Sequence, residues 1–230
     1  MNTATRLTVD VWSDIACPWC YVGKRRLEGA LARFAHRDQV AVRWHAFELD
    51  PDAPAAVDPR ESLAQRLARK YGRTVAQAEA MNAHLVNLAK GEGIAMDFVR
   101  LRSGNTFDAH RLVHWAGLHG RQDEMKERLL RAYFSEGELM SDGETLVRLA
   151  TEVGLDAAEA RAMLARGEHA DDVRADEQRA NLLEIHGVPF FVFAERFGVS
   201  GAQSVDVLLD TLNKAWATTR SSDTTQVDRT

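Results

Sequence analysis

The feature that most constrains this chain is its pair of cysteines, Cys17 and Cys20, in the stretch Asp14-Ile15-Ala16-Cys17-Pro18-Trp19-Cys20-Tyr21. The protein has no other cysteine. An apolar, β-prone run (Leu7, Val9, Val11 against Thr8 and Asp10) precedes the pair, and a helical pattern from about Tyr21 to Phe34 follows it. A Cys-x-x-Cys between a strand and a helix is the arrangement of a redox dithiol. Cys17 would then stand at a helix start, where unpaired N–H groups and the helix dipole favour an anion and lower a thiol pKa. Pro18 suits the first helical turn, where a missing N–H costs nothing. Cys20, one turn further in, is placed to resolve a mixed disulfide formed at Cys17.

Three plainer readings compete. A structural disulfide across so short a loop removes little entropy from the unfolded chain. Half a zinc site would want a second cysteine pair or histidines in a recognisable spacing, and no such pattern flanks this one. Inert core thiols remain, but they leave the strand–Cys-x-x-Cys–helix context unexplained.

The net charge of −5 gives no electrostatic reason to expect nucleic acid or a membrane surface as partner. No apolar run approaches the roughly 20 residues that span a bilayer. The segment Met1-Asn2-Thr3-Ala4-Thr5-Arg6 has no apolar signal-peptide core, and the cysteine pair is not a secreted disulfide framework, so the expected location is the cytoplasm.

Along the chain, Arg6–Trp12 reads as a first strand, the helix after the cysteines carries Leu27, Ala30, Leu31 and Phe34 on one face, and Val40–Phe47 reads as a second strand. The proline-rich connector from Asp50 to Pro59 ends it. From Glu61 to about His186 the pattern is helical, broken near Gly72, Gly91, Gly104, Gly120, Gly137, Gly143, Gly154 and Gly167, which predicts five to seven helices. After it come a β-prone run through Phe193, a partner strand over Arg196–Ser200, a final helix over Ser204–Trp216, and a polar tail read as disordered. The expected division is residues 1–59 and 187–217 as one α/β domain, 60–186 as an inserted helical domain, and 218–230 as tail. Two parallel strands joined by a crossover helix, then a hairpin and a closing helix, make a thioredoxin fold; here a large all-helical insertion separates the second and third strands.

Five blocks in order then carry a resemblance over nearly the whole chain: Ser13-Asp14-x-x-Cys17-Pro18-Trp19-Cys20-Tyr21-x-Gly23-Lys24, Phe47-Glu48-Leu49-Asp50-Pro51, Asn105-Thr106-x-x-Ala109-His110-Arg111-Leu112, Gly187-Val188-Pro189-Phe190-Phe191 and Val199-Ser200-Gly201-Ala202-Gln203. The chain resembles the DsbA-like oxidoreductases of the thioredoxin superfamily, in their cytoplasmic FrnE-like branch. The resemblance implies that Cys17 and Cys20 are catalytic, with Pro18, Trp19, Asp14, Val188 and Pro189 supporting them. It also implies a cis Val188–Pro189 bond facing the cysteines, and a substrate groove that includes Asn105, Thr106 and His110. The residues' own reading of Asn105 and Thr106 is a helix cap. Asp14 reads as a brace of the turn, with proton shuttling the alternative. Trp19 supplies bulk and no charge, so a thiol pKa lowered less than in relatives with histidine there, and a more reducing potential, are expected. His110 and His114 share a helix face but lack a third ligand, so no metal is expected.

The expected reaction is exchange of protein or small-molecule thiols and disulfides, with no cofactor beyond the dithiol itself and with glutathione as a candidate co-substrate. Two other functions stay open. One is a glutathione-dependent isomerase or transferase related to 2-hydroxychromene-2-carboxylate isomerase and the kappa-class transferases, which generally lack the second cysteine. The other is a redox-independent peptide-binding chaperone. A second copy of the chain is a further candidate partner.

Overall fold

The structure is a computed structural model; it describes residues 7–58 and 60–227, with the side chains of 220–227 excepted. The chain begins with β1 (Leu7–Ser13), α1 (Pro18–Arg33) and β2 (Val40–Ala46). The helices α2 (Leu63–Tyr71), α3 (Val75–Gly91), α4 (Phe107–Leu118), α5 (Gln122–Arg131), α6 (Gly143–Glu152), α7 (Ala157–Ala165) and α8 (Ala170–Leu182) follow. The chain returns through β3 (Phe190–Phe193) and β4 (Phe197–Ser200) and closes with α9 (Val205–Val227). The sheet order is β2-β1-β3-β4, with β2 parallel to β1 and both later pairings antiparallel. This is the thioredoxin fold with a helical insertion that the element pattern predicts.

The helix breaks lie where glycine permits a left-handed turn. Gly72 ends α2 at φ 61°, and the amide of Gly72 bonds back to Ala68 O. Ser62 and Thr74 start α2 and α3 as capping boxes with Gln65 and Gln77. Two boundaries differ from the sequence reading. β3 begins only at Phe190, because Pro189 has no N–H to give a strand ladder. The final helix continues past Trp216 to Val227, through most of the stretch expected to be a disordered tail. No glycine or proline follows Gly201 to stop it, and the Thr218 and Thr219 hydroxyls bond back to Ala215 O and Trp216 O. The rest of that tail, 228–230, and the connector's Pro59 lie outside the described residues.

Both sheet faces are covered. Val9, Val11, Phe191 and Phe193 pack with Leu27 and Ala30 of α1 and Leu208 and Leu212 of α9, in a core that runs on into the helical lobe. At roughly 1.5–3 kcal/mol for each large apolar side chain, this burial is the main favourable term. On the opposite face Trp12 packs with Ala180 and Ile185, so α8 covers the sheet as well as belonging to the helical block.

The lobe is pinned to the β2 edge by side chains that complete its backbone bonding. The Trp44 N–H donates to Gln122 Oε1 (3.0 Å), Gln122 Nε2 donates to Trp44 O (3.0 Å), and the Ala46 N–H donates to Asp176 Oδ2 (2.8 Å). These contacts close a strand edge that would otherwise invite pairing with another chain, and they set α5 and α8 against the end of β1 where the cysteines lie.

Candidate active site

Cys17 is the N-cap of α1 (φ −93°, ψ 110°), and Pro18 occupies its first turn. The Cys20 N–H donates to Cys17 O (3.0 Å), which places Cys20 one turn inward. Both thiols are free and nearly buried, Cys17 4% and Cys20 1% exposed, so Cys17 is the outer of the two. Trp19 between them is 41% exposed.

The Val188–Pro189 bond is cis, and the Cys17 thiol donates to Val188 O at 3.5 Å across 171 positions of sequence. Gly23 allows this approach: a Cβ there would lie 2.8 Å from Pro189 Cγ and 3.2 Å from Phe191 Cζ.

Asp14 lies under the turn and is buried. Its Oδ1 accepts from the Ala16 N–H (3.2 Å) and the Thr106 hydroxyl (3.0 Å), and it lies 3.2 Å from His110 Nε2; its Oδ2 accepts from the Leu49 N–H (2.8 Å). Burial pushes this carboxyl up, but the bonds from His110, Leu49 and Ala16 outweigh it and hold the pKa below the ordinary value. Burial likewise pulls His110 below its usual range. Asp14 is therefore a charged brace, as its turn chemistry suggests.

The groove reading of the α4 motif takes a different form. Thr106 and His110 are buried and face Asp14 instead of an open surface. Asn105 ties the proline-rich connector to the start of α4: its Nδ2 donates to Pro51 O and Ala53 O, and its Oδ1 accepts from the Phe107 N–H. His110 and His114 also diverge. His110 faces Asp14, whereas His114 Nε2 lies 2.9 Å from Asp176 Oδ2. Among the described residues, no cluster of three or more His, Cys, Asp or Glu side chains is arranged to hold a metal ion.

A helix start alone predicts a depressed Cys17 pKa. The structure gives the opposite sign: the hydrogen bond with Cys20, burial and the charges of Cys20 and Asp14 push Cys17 up, against the Cys20 N–H, which pulls it down. Two sulfurs in one dry pocket resist carrying two negative charges.

A model of the DsbA-like thioredoxin domain matches residues 8–213. The chain belongs to the DsbA-like thioredoxin family. Among solved structures it is similar to the probable DsbA oxidoreductase SCO1869 of Streptomyces coelicolor, with 44% identity, a TM-score of 0.86, and 92% of this chain and 90% of that one covered. It is 27% identical to the Bacillus subtilis protein YwbO, itself uncharacterised, over 86% of this chain and 92% of that protein. A 2-hydroxychromene-2-carboxylate isomerase shares the fold at 13% identity, with a TM-score of 0.66 and coverage of 94% and 98%. DsbA-like proteins are generally disulfide oxidoreductases.

Two features of this DsbA-like chain lie beyond its motifs. Lys126 of α5 is 1% exposed and donates to Ser13 O (3.0 Å), directly below the active-site turn. Its position was visible in principle, since it precedes the buried Leu129 and Leu130 by three and four residues and so shares their stripe. The second is a polar junction between the lobe and the far side of the sheet. There His45 Nδ1 lies 2.6 Å from Asp176 Oδ1 and its Nε2 2.7 Å from Asp10 Oδ1, with the ring stacked on Trp12 at 4.5 Å. Nothing in the alternation of β1 marks Asp10 as buried, and only the fold brings Asp176 to it.

Proposed function

We propose that this DsbA-like protein is a thiol–disulfide oxidoreductase of the FrnE-like kind, acting in the cytoplasm on protein or small-molecule disulfides. The observation that carries the reading is the Cys17 thiol at the N-cap of α1, facing the Val188 carbonyl, with Cys20 one turn behind it. Among the described residues no helix is long and apolar enough to cross a membrane.

In the reductive direction, the Cys17 thiolate attacks a substrate disulfide. A Cys17–substrate S–S bond forms, the substrate bond breaks, and the first thiolate leaves and takes up a proton. The Cys20 thiolate then attacks Cys17 Sγ, the protein disulfide forms, and the second substrate thiolate leaves. Two electrons pass from protein to substrate; the reverse sequence oxidises a dithiol. The Val188 backbone beside Cys17 offers an extended peptide a strand-like partner, and exposed Trp19 and Leu49 offer it apolar contact. Glutathione is a candidate small thiol to recycle the pair.

The test is a titration in glutathione redox buffers followed by tryptophan fluorescence, with Cys17→Ser and Cys20→Ser as controls. The expected result is a reversible two-electron transition lost in both variants. No transition, or a glutathione adduct at Cys17 that Cys20 leaves unresolved, would overturn the proposal in favour of glutathione-dependent isomerase or transferase chemistry.

A further inference from the structure

The fully buried cations of this protein differ in one respect. Lys24 bonds to Glu28 and Asp123 and lies 3.4 Å from Glu127. Arg111 pairs with Asp108, and Arg128 with Glu136 and Glu152. Among the described residues, Lys126 alone of the buried cations has no carboxylate within ion-pair distance. Its ammonium is held by one neutral acceptor, Ser13 O, and lies 5.8 Å from the Trp44 ring centroid. A buried charge normally brings its counter-charge with it.

The ionisable groups around it supply one. The charges of Cys20, Asp14 and Cys17 act to hold its pKa up, and those of Lys24 and His110 oppose it; Ser13, whose carbonyl it holds, leads directly into the turn that carries the thiols. Lys24 and His110 bring no negative charge. Asp14 is negative but is already the acceptor for Ala16, Thr106 and Leu49, with His110 against it. The remaining source of negative charge is the dithiol.

We infer that Lys126 is a positioning residue of the redox centre: its ammonium, delivered by α5 of the helical lobe, is the counter-ion of the thiolate carried by the Cys17–Cys20 pair. The inference rests on the proposed dithiol function and adds a residue to it. The reduced pair keeps one negative charge beside one buried positive charge. Forming the disulfide from the thiolate and its neighbouring thiol takes two electrons from the sulfurs and releases the thiol's proton, so no negative charge stays on the pair and Lys126 is left with Ser13 O and the charge of Asp14. Burial already draws Lys126 down to about 8, and the nearby thiols and Asp14 are what hold it up. Its proton is therefore released more readily from the oxidised protein than from the reduced one, in addition to the proton that the remaining thiol gives up when the disulfide forms.

The experiment titrates the thiolate of the reduced full-length protein by its ultraviolet absorbance, in wild type, Lys126→Met and Lys126→Gln, with unfolding curves to establish that each variant is folded. Methionine removes charge and donor together; glutamine keeps a donor for Ser13 O and removes only the charge. Both are expected to raise the apparent thiol pKa by about one unit, about tenfold less thiolate near neutrality, and to move the midpoint potential to the reducing side. An unshifted titration in the folded variants, or a glutamine variant that titrates like wild type, overturns the inference. Independent of any variant, the Lys126 side-chain nitrogen can be titrated by NMR in reduced and oxidised wild type. A lower pKa in the oxidised protein is expected, and equal values refute the idea. A wild type with no reversible couple would refute the proposed function, while the thiolate titration would still report on Lys126.

Discussion

Two buried polar junctions join the helical lobe to the sheet, and they are built to opposite plans. Behind the sheet, His45 lies as an imidazole between the two carboxylates of Asp10 and Asp176, with His114 beside Asp176 and the Ala46 N–H and the Trp12 indole N–H bonded to Asp176 as well. Under the cysteines, Asp14, Thr106, His110 and Lys126 satisfy the carboxylate and leave the ammonium without one. The same two layers of structure thus use one contact for holding and the other for chemistry. A closed set of charges gives little to a third group, whereas an open one imposes a field on whatever lies beside it, and here that is a pair of thiols.

The largest effect is expected at the junction behind the sheet. Asp176→Ala should remove the acceptor of Ala46 and leave His45 with one carboxylate, at a cost of about 3–5 kcal/mol in a urea unfolding experiment. The glutathione midpoint of the folded fraction should stay where it is. A loss under about 1 kcal/mol would mean that the junction is ornamental to stability.

The two junctions also carry opposite pH signatures. Burial draws His45 down, but its bonds to Asp10 and Asp176 and their charges raise it from 6.5 to about 9. A raised basic group stabilises fully below its unfolded pKa and loses that contribution as pH climbs through the folded value. The stability difference between wild type and His45→Gln should therefore shrink by roughly 2–3 kcal/mol from pH 6.5 to 9. Lys126 lies below its unfolded value of 10.5, at about 8, so it costs stability at low pH and is relieved as pH rises. Chemical denaturation at several pH values tests both signs. A His45→Gln difference that stays flat would contradict the clasped imidazolium.

Asp14→Asn probes the open junction from its negative side. The amide cannot accept from all the donors that now converge on the carboxylate, which should cost about 1–3 kcal/mol. Because the Asp14 charge helps push Cys17 up, its removal should lower the apparent thiol pKa, the reverse of the change expected for Lys126→Met. Opposite shifts from the two substitutions would identify electrostatics as the link; parallel shifts would point to damage to the turn.

What the sequence discloses of all this follows from the range of the interaction. The strand–Cys-x-x-Cys–helix order, the glycine breaks and the apolar faces of α1 and α9 are local, and the fold class follows from them. The Asp14 brace is half legible, since its bond to Ala16 is a turn contact while those to Leu49, Thr106 and His110 span 35 to 96 positions. The motif places Thr106 and His110 near the redox centre, but the structure turns them inward to Asp14, because a motif fixes proximity before it fixes direction. The stripe of Leu129 and Leu130 marks Lys126 as inward-facing, but what it faces is set by α5 packing on β2, which is a tertiary contact.

The finest test uses the second buried lysine near the same ring. Lys24 also lies 5.8 Å from the Trp44 centroid, and it too is almost wholly buried. Its charge is spent on Glu28, Asp123 and Glu127, which hold its pKa above the ordinary value against the pull of burial. Those carboxylates reach solvent, and Glu28 and Glu127 keep Arg25 as partner, so Lys24→Met should cost only about 1 kcal/mol. It should leave the thiolate titration unchanged. If Lys24→Met shifted the thiols as much as Lys126→Met, any nearby buried cation would serve, and the missing carboxylate at Lys126 would lose its meaning. If only Lys126 moves them, the thiols respond to the ammonium that has no carboxylate partner and not to the one that Glu28, Asp123 and Glu127 cancel.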